Sequence, residues 1–148
     1  MYHGVSVGEV IALENLIKKT RETFPDYKIV VTTGTKTGQE IAQKKYAEIA
    51  DFITYFPFDV TICVKSFLDK IRPTVVLIAE TELWPTFSEY CKKKGISLYV
   101  INGRISDTTF KTKFSGSALI FGQSLMFGPN FNSTLESAFP LLSKTLFS

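Results

Sequence analysis

The chain has 148 residues, 45% of them hydrophobic, which is the length of one ordinary domain and enough apolar material for a sizeable core. Seventeen Lys and Arg against fourteen Asp and Glu leave a net charge of +3, too small and too scattered to argue for nucleic acid. Cys63 and Cys91 lie far apart with no C-x-x-C and no histidine partner nearby, which points to neither zinc nor a disulfide framework, and no stretch reaches the roughly 18 apolar residues of a membrane span.

In chain order, Met1 to Val5 reads as the stub of a strand, followed by S-V-G-E at residues 6–9. A helical stripe of Val10, Leu13, Ile17 and Phe24 comes next and is closed by Pro25-Asp26. Residues 27–33 (YKIVVTT), 52–56 (FITYF), 74–79 (TVVLIA) and 97–102 (SLYVIN) are short, apolar and rich in β-branched or aromatic residues, the pattern of strands buried on both faces. Val60, Val64, Phe67, Leu68 and Ile71 share a second stripe, closed by Arg72-Pro73. Strands separated by helices of that length make βαβ units with right-handed crossovers, so the expected fold is α/β: a Rossmann-like three-layer sandwich with a mostly parallel sheet. The basic run Lys92-Lys93-Lys94 is expected on a solvated helix end. Residues 114–148 carry only Glu136 and Lys144 as charges, and they are expected to form an atypical low-charge tail beyond a domain at 1–113.

In a parallel sheet all strand-to-helix loops open on one side, so chemistry is expected where these loops converge. Glu9 stands there directly after Gly8, at the turn from the first strand into its helix. The loop Thr32-Thr33-Gly34-Thr35-Lys36-Thr37-Gly38 matches no nucleotide-binding fingerprint; it offers either a phosphate or sugar-phosphate contact or helix capping by Thr35 or Thr37. Glu80-Thr81-Glu82-Leu83-Trp84-Pro85 packs two acids and the only tryptophan against a strand end, with a proline suited to a helix's first turn. A carboxylate drawn toward an apolar sheet end tends to a raised pKa, which gives Glu80 a use as an alternative to complementing the helix dipole, while Trp84 reads first as core. Arg104, after Asn102-Gly103, offers a phosphate or carboxylate clamp, or an ion pair with Glu80 or Glu82. One histidine and no G-x-S-x-G elbow argue against a serine hydrolase.

The runs at residues 3–10 (HGVSVGEV), 31–35 (VTTGT), 80–85 (ETELWP) and 101–106 (INGRIS), in this order and spacing, resemble the N-terminal domain of the bacterial 3-deoxy-D-manno-octulosonic acid (Kdo) transferases, glycosyltransferase family 30, over about residues 1–113. The resemblance implies a GT-B transferase whose N-terminal half receives the lipid A precursor. A C-terminal donor half, not expected within these residues, would hold CMP-Kdo as substrate, with inversion at the anomeric carbon and neither metal nor cofactor at the reacting centre. It implies Glu9 as general base and Glu80 as a second catalytic acid. Ser6, Gly8, Thr33, Thr35 and Arg104 become candidate substrate-binding residues, and Glu82, Trp84 and Asn102 candidates for supporting them. It also implies a peripheral place on the cytoplasmic face of the inner membrane, through an anchor segment not expected in this chain. A non-catalytic glycolipid head-group binder and a Rossmann-like protein of other chemistry are the alternatives.

Overall fold

The computed structural model describes residues 1–79 and 84–101, together with the backbone of two strands at 118–121 and 124–127. Strand β1 (Tyr2–Gly4) leads into α1 (Val7–Ala12) and α2 (Glu14–Thr23); β2 (Val30–Thr33) leads into α3 (Lys36–Tyr46), and β3 (Phe52–Tyr55) into α4 (Thr61–Ile71). Then come β4 (Val75–Ala79), α5 (Pro85–Lys93), β5 (Ser97–Ile101), β6 (Ala118–Phe121) and β7 (Ser124–Phe127). The strand order is β3-β2-β1-β4-β5-β7-β6. The first five strands are parallel, and β7 and β6 continue the sheet as an antiparallel pair beside β5. The expected Rossmann-like, mostly parallel architecture is what forms.

Alternation along the strands sorts the core into two faces. Tyr2, Leu77, Ala79 and Tyr99 pack against α1, α2 and α3 through Val10, Leu13, Ile17, Ala42 and Tyr46. Val76, Ile78, Leu98 and Val100 pack on the opposite face against α4 and α5 through Val64, Leu68, Phe87 and Cys91. These are the three layers: helices, sheet, helices.

Three local departures from expectation have physical causes. The first stripe is two helices rather than one, because the chain tightens at Leu13 (φ −74°, ψ −11°), whose N–H is shared between the carbonyls of Glu9 and Ile11. Phe24 lies just past the end of α2 (φ −130°, ψ 67°) and is not a helical member of the stripe. Strand β2 begins at Val30 instead of Tyr27, because the Asp51 carboxylate takes the Ile29 N–H at 2.8 Å and the Ile29 carbonyl accepts from both Asp51 and Phe52. That carboxylate also holds Arg21 and Lys28, and the Ile29 N–H, followed by Lys28 and Arg21, keeps its pKa well below the usual carboxylate range. Helix α4 ends on Arg72 in the left-handed region (φ 47°), a conformation that costs a non-glycine residue about 1–2 kcal/mol, and Pro73 prevents any continuation.

Candidate active site

Strand order reverses between β1 and β4, which is where open α/β sheets hold their ligands. Gly4 ends β1 there, and a Cβ on it would come within 3.1 Å of the Val10 backbone nitrogen, so glycine lets α1 settle directly over the strand end. The next residues form a capping box. Ser6 Oγ accepts the Glu9 N–H at 3.4 Å, while the Glu9 carboxylate accepts from Val5 N–H (2.8 Å), Ser6 N–H (3.3 Å) and the Ser6 hydroxyl (2.6 Å). Three donors against about four acceptor positions leave room for one more hydrogen. Glu9 is half-buried, and its neighbour Gly8 is exposed, with nothing closer to a would-be Cβ than Ser6 Oγ at 3.9 Å. The carboxylate is therefore held in place beside an open surface.

The second loop is tied to the first by one carbonyl. Val5 O accepts from the Gly34 N–H at 3.3 Å and from Thr35 Oγ1 at 3.0 Å, and Thr35 Oγ1 in turn accepts the Gly38 N–H at 3.1 Å as the N-cap of α3. A Cβ at Gly34 would meet Val5 Cγ1 at 2.7 Å, which leaves only glycine at this contact. The capping alternative for Thr35 is thus what the structure shows, although its side chain stays exposed at the edge. Thr33 is fully buried, and its hydroxyl donates to Gln39 Oε1 at 2.6 Å. Ser6, Gly8, Glu9 and Thr35 share one rim, with Thr33 beneath it.

The other wall of the crevice is aromatic. His3, fully buried on β1, stacks on Phe56 at 4.0 Å, and Phe56 meets Phe87 at 4.6 Å and Trp84 at 5.9 Å. The Thr32 hydroxyl donates to Tyr2 O, so Thr32 offers His3 Nδ1 only lone pairs, from Oγ1 at 3.1 Å and from its carbonyl at 3.2 Å. Nδ1 must then carry the proton, which leaves Nε2 a bare acceptor with no partner among the described residues. Burial pushes the His3 pKa down to about 4, against the opposing pull of the Thr32 bond and the Glu9 charge. Trp84 Nε1 and Ser88 Oγ are likewise buried without a partner among the described residues. Trp84 itself is half-buried and packs on the α4/α5 core.

Glu80, Glu82, Asn102 and Arg104 lie outside the described residues. Ala79 pairs with Ile101 at the ends of β4 and β5. Lys92, Lys93 and Lys94 are exposed at the end of α5, as expected, with Lys93 on Glu89 and Lys94 on Asp69. Among the described residues no group of three or more His, Cys, Asp or Glu could hold a metal ion, and no helix is long and apolar enough to cross a membrane. Sequence reasoning overlooked two residues of the site. One is His3, whose signal was its being the sole histidine; the other is Asp59, which sits where a cap of α4 would be read and instead serves α5.

A five-strand parallel core wound 3-2-1-4-5, with a fixed carboxylate at its switch point, defines a Rossmann-like α/β domain. Residues 1–126 match the family model described as 3-deoxy-D-manno-octulosonic-acid transferase (kdotransferase), and the chain belongs to that family. A 3-deoxy-D-manno-octulosonic acid transferase of Chlamydia pneumoniae is 37% identical over 114 residues, covering 76% of this chain and 26% of the relative. The protein of the same description from Haemophilus influenzae is 32% identical, covering 70% and 24%. A bifunctional glycosyltransferase/methyltransferase of Fusobacterium nucleatum is 37% identical, covering 73% and 17%. The chain thus spans about a quarter or less of the length of these relatives. The family match also runs past residue 113 into β7.

Proposed function

We propose that this chain is the acceptor-side half of a Kdo transferase and that Glu9 is its general base. A hydroxyl of the lipid A precursor occupies the free acceptor position on the Glu9 carboxylate. As its oxygen bonds to the anomeric carbon of Kdo, the proton passes to Glu9 and the bond from that carbon to the phosphate of CMP breaks, CMP leaving with the electron pair. Attack from the face opposite the leaving group inverts the carbon, and no metal is needed for the proton transfer. Base catalysis of this kind contributes on the order of a hundredfold to ten-thousandfold.

The observation that supports the reading is the carboxylate itself, held by three donors at the switch point next to an exposed glycine. Glu80, which follows β4 in sequence, supports the reacting centre. Ser6, Gly8, Thr35 and Arg104 contact the sugar and its phosphate, and Thr33 acts from below through Gln39. Glu82, Trp84 and Asn102 hold the loops. CMP-Kdo is bound by a second Rossmann-like half outside these 148 residues. Residues 1–113 carry the acceptor site, to which 114–148 add no group, and the protein works peripherally at the cytoplasmic face of the inner membrane.

The test is an NMR titration of the isotopically labelled chain with lipid A precursor in detergent micelles and, separately, with CMP-Kdo. The amides of residues 5–10 are expected to shift with the acceptor and not with the nucleotide sugar. Saturable CMP-Kdo binding at those amides, or acceptor binding that leaves them unmoved, contradicts the proposal.

A further inference from the structure

Helix α5 starts without a cap of its own. Trp84 occupies its N-cap position with extended backbone (φ −94°, ψ 111°) and offers no side-chain acceptor, and the first turn contains no acid. The orphan N–H groups of Thr86 and Phe87 are satisfied from elsewhere in the chain, by Asp59 Oδ2 at 3.1 Å and Oδ1 at 2.8 Å. Asp59 belongs to the β3–α4 loop, 27 and 28 residues away in sequence, and it is the one residue of Phe58-Asp59-Val60 that turns inward: Phe58 and Val60 are 84% and 55% exposed. The same loop begins with Phe56, whose ring lies against His3, Phe87 and Trp84. Its attachment is therefore double, an aromatic contact at Phe56 and a bidentate carboxylate at Asp59, both on the first turn of α5 or the residues beside it.

We propose that Asp59 is a positioning residue of the candidate site: by closing the α5 N-terminus from a different loop, it fixes Trp84 and the point where the connection from β4 joins the helix. That connection carries Glu80 and Glu82 in sequence, so the inference deepens the acceptor-site reading and rests on it for the acceptor measurement below. A cap borrowed from another loop makes the two segments one unit. A cap within α5 would leave the β3–α4 loop free to move without it. The negative charge on the helix dipole also occupies the place where an anionic ligand group would otherwise be drawn.

Trp84 is the only tryptophan, so its emission reports on this joint directly. In the 148-residue chain, Asp59→Ala is expected to speed amide exchange at Thr86 and Phe87 by about tenfold, within the several-fold to thirtyfold range of lost caps, and to shift Trp84 emission while far-UV circular dichroism stays unchanged. Asp59→Asn, which keeps one acceptor oxygen, restores most of the protection. Asp51→Ala serves as the control for mere destabilisation, since Asp51 holds Ile29, Arg21 and Lys28. At a temperature where both variants are fully folded, Asp59→Ala is expected to weaken lipid A precursor binding about tenfold and Asp51→Ala to leave it unchanged. Unaltered exchange and emission in Asp59→Ala, or equal loss of binding in both variants, overturns the positioning role. Should the unaltered chain bind no acceptor while exchange and emission respond as stated, the acceptor reading fails and the cap stands.

Discussion

The two walls of the switch-point crevice are built by opposite means. On the α1/α3 wall each helix start is closed from within: Ser6 and Glu9 cap α1, and Thr35 caps α3. On the α4/α5 wall neither helix has a side-chain cap of its own, α5 borrows Asp59, and three buried polar atoms, on His3, Trp84 and Ser88, lack partners among the described residues. Local capping closes the helix starts of the first wall and leaves one acceptor position open on Glu9. The second wall depends on long-range contacts, and its partnerless polar atoms among the described residues are buried.

The largest effect that separates the walls is expected from Phe87→Ala. Phe87 is fully buried against Phe56, and its truncation costs about 3–5 kcal/mol, read as a lower midpoint in urea denaturation followed at Trp84. If the second wall were loosely packed, the cost would fall below about 2 kcal/mol.

His3 makes the contrast dependent on pH. Its pKa of about 4 in the folded chain lies below the ordinary value of 6.5, so the unfolded chain takes up the proton first as pH falls. Besides the loss from the buried Met1 amino group, whose pKa is lowered from 8.0 to about 5, the His3 contribution to stability is full well above pH 6.5 and declines as pH drops toward 4, by roughly 3 kcal/mol in all. Denaturation midpoints measured from pH 7 to pH 4 should show this loss, and His3→Phe should abolish most of it. A flat profile for the unaltered chain would mean that the ring is hydrated.

Thr35→Ala probes the locally capped wall. Removing this oxygen takes the N-cap acceptor from α3 and one of the two donors from Val5 O, at a cost of about 1 kcal/mol, with Trp84 emission unchanged. The smallest change is expected at the far end of α4, where Arg72→Gly relieves the left-handed backbone and should raise stability by up to about 1 kcal/mol without touching either wall.

How far the sequence foretold these walls follows from the range of the interactions. Period-two strands and helical stripes depend on neighbours in the chain, so Val76, Ile78, Leu98 and Val64 could be placed in the core by spacing alone. The SVGE cap is equally local, since Ser6 and Glu9 are three residues apart and satisfy each other. Strand β2 came out shorter than read because Asp51, distant in sequence, takes the Ile29 N–H. Asp59 was illegible for the same reason: a carboxylate one residue before Val60 reads as the cap of α4, and only folding brings α5 to it. His3 lies inside a run that carries the family resemblance, yet its neutrality and bare Nε2 come from Thr32, on another strand.

The claim on which these readings turn is that Glu9 takes a proton from a sugar hydroxyl. The most direct measurement is the rate of Kdo transfer by a full-length relative of the family, before and after the substitution that corresponds to Glu9→Gln, at saturating acceptor and donor. Glutamine keeps an acceptor oxygen for the Ser6 side of the capping box and gives up the one that takes the Val5 N–H, so the fold should be retained, as circular dichroism checks, while the rate falls by a hundredfold or more. A folded Glu9→Gln enzyme that transfers Kdo at the unaltered rate would show that the base lies elsewhere.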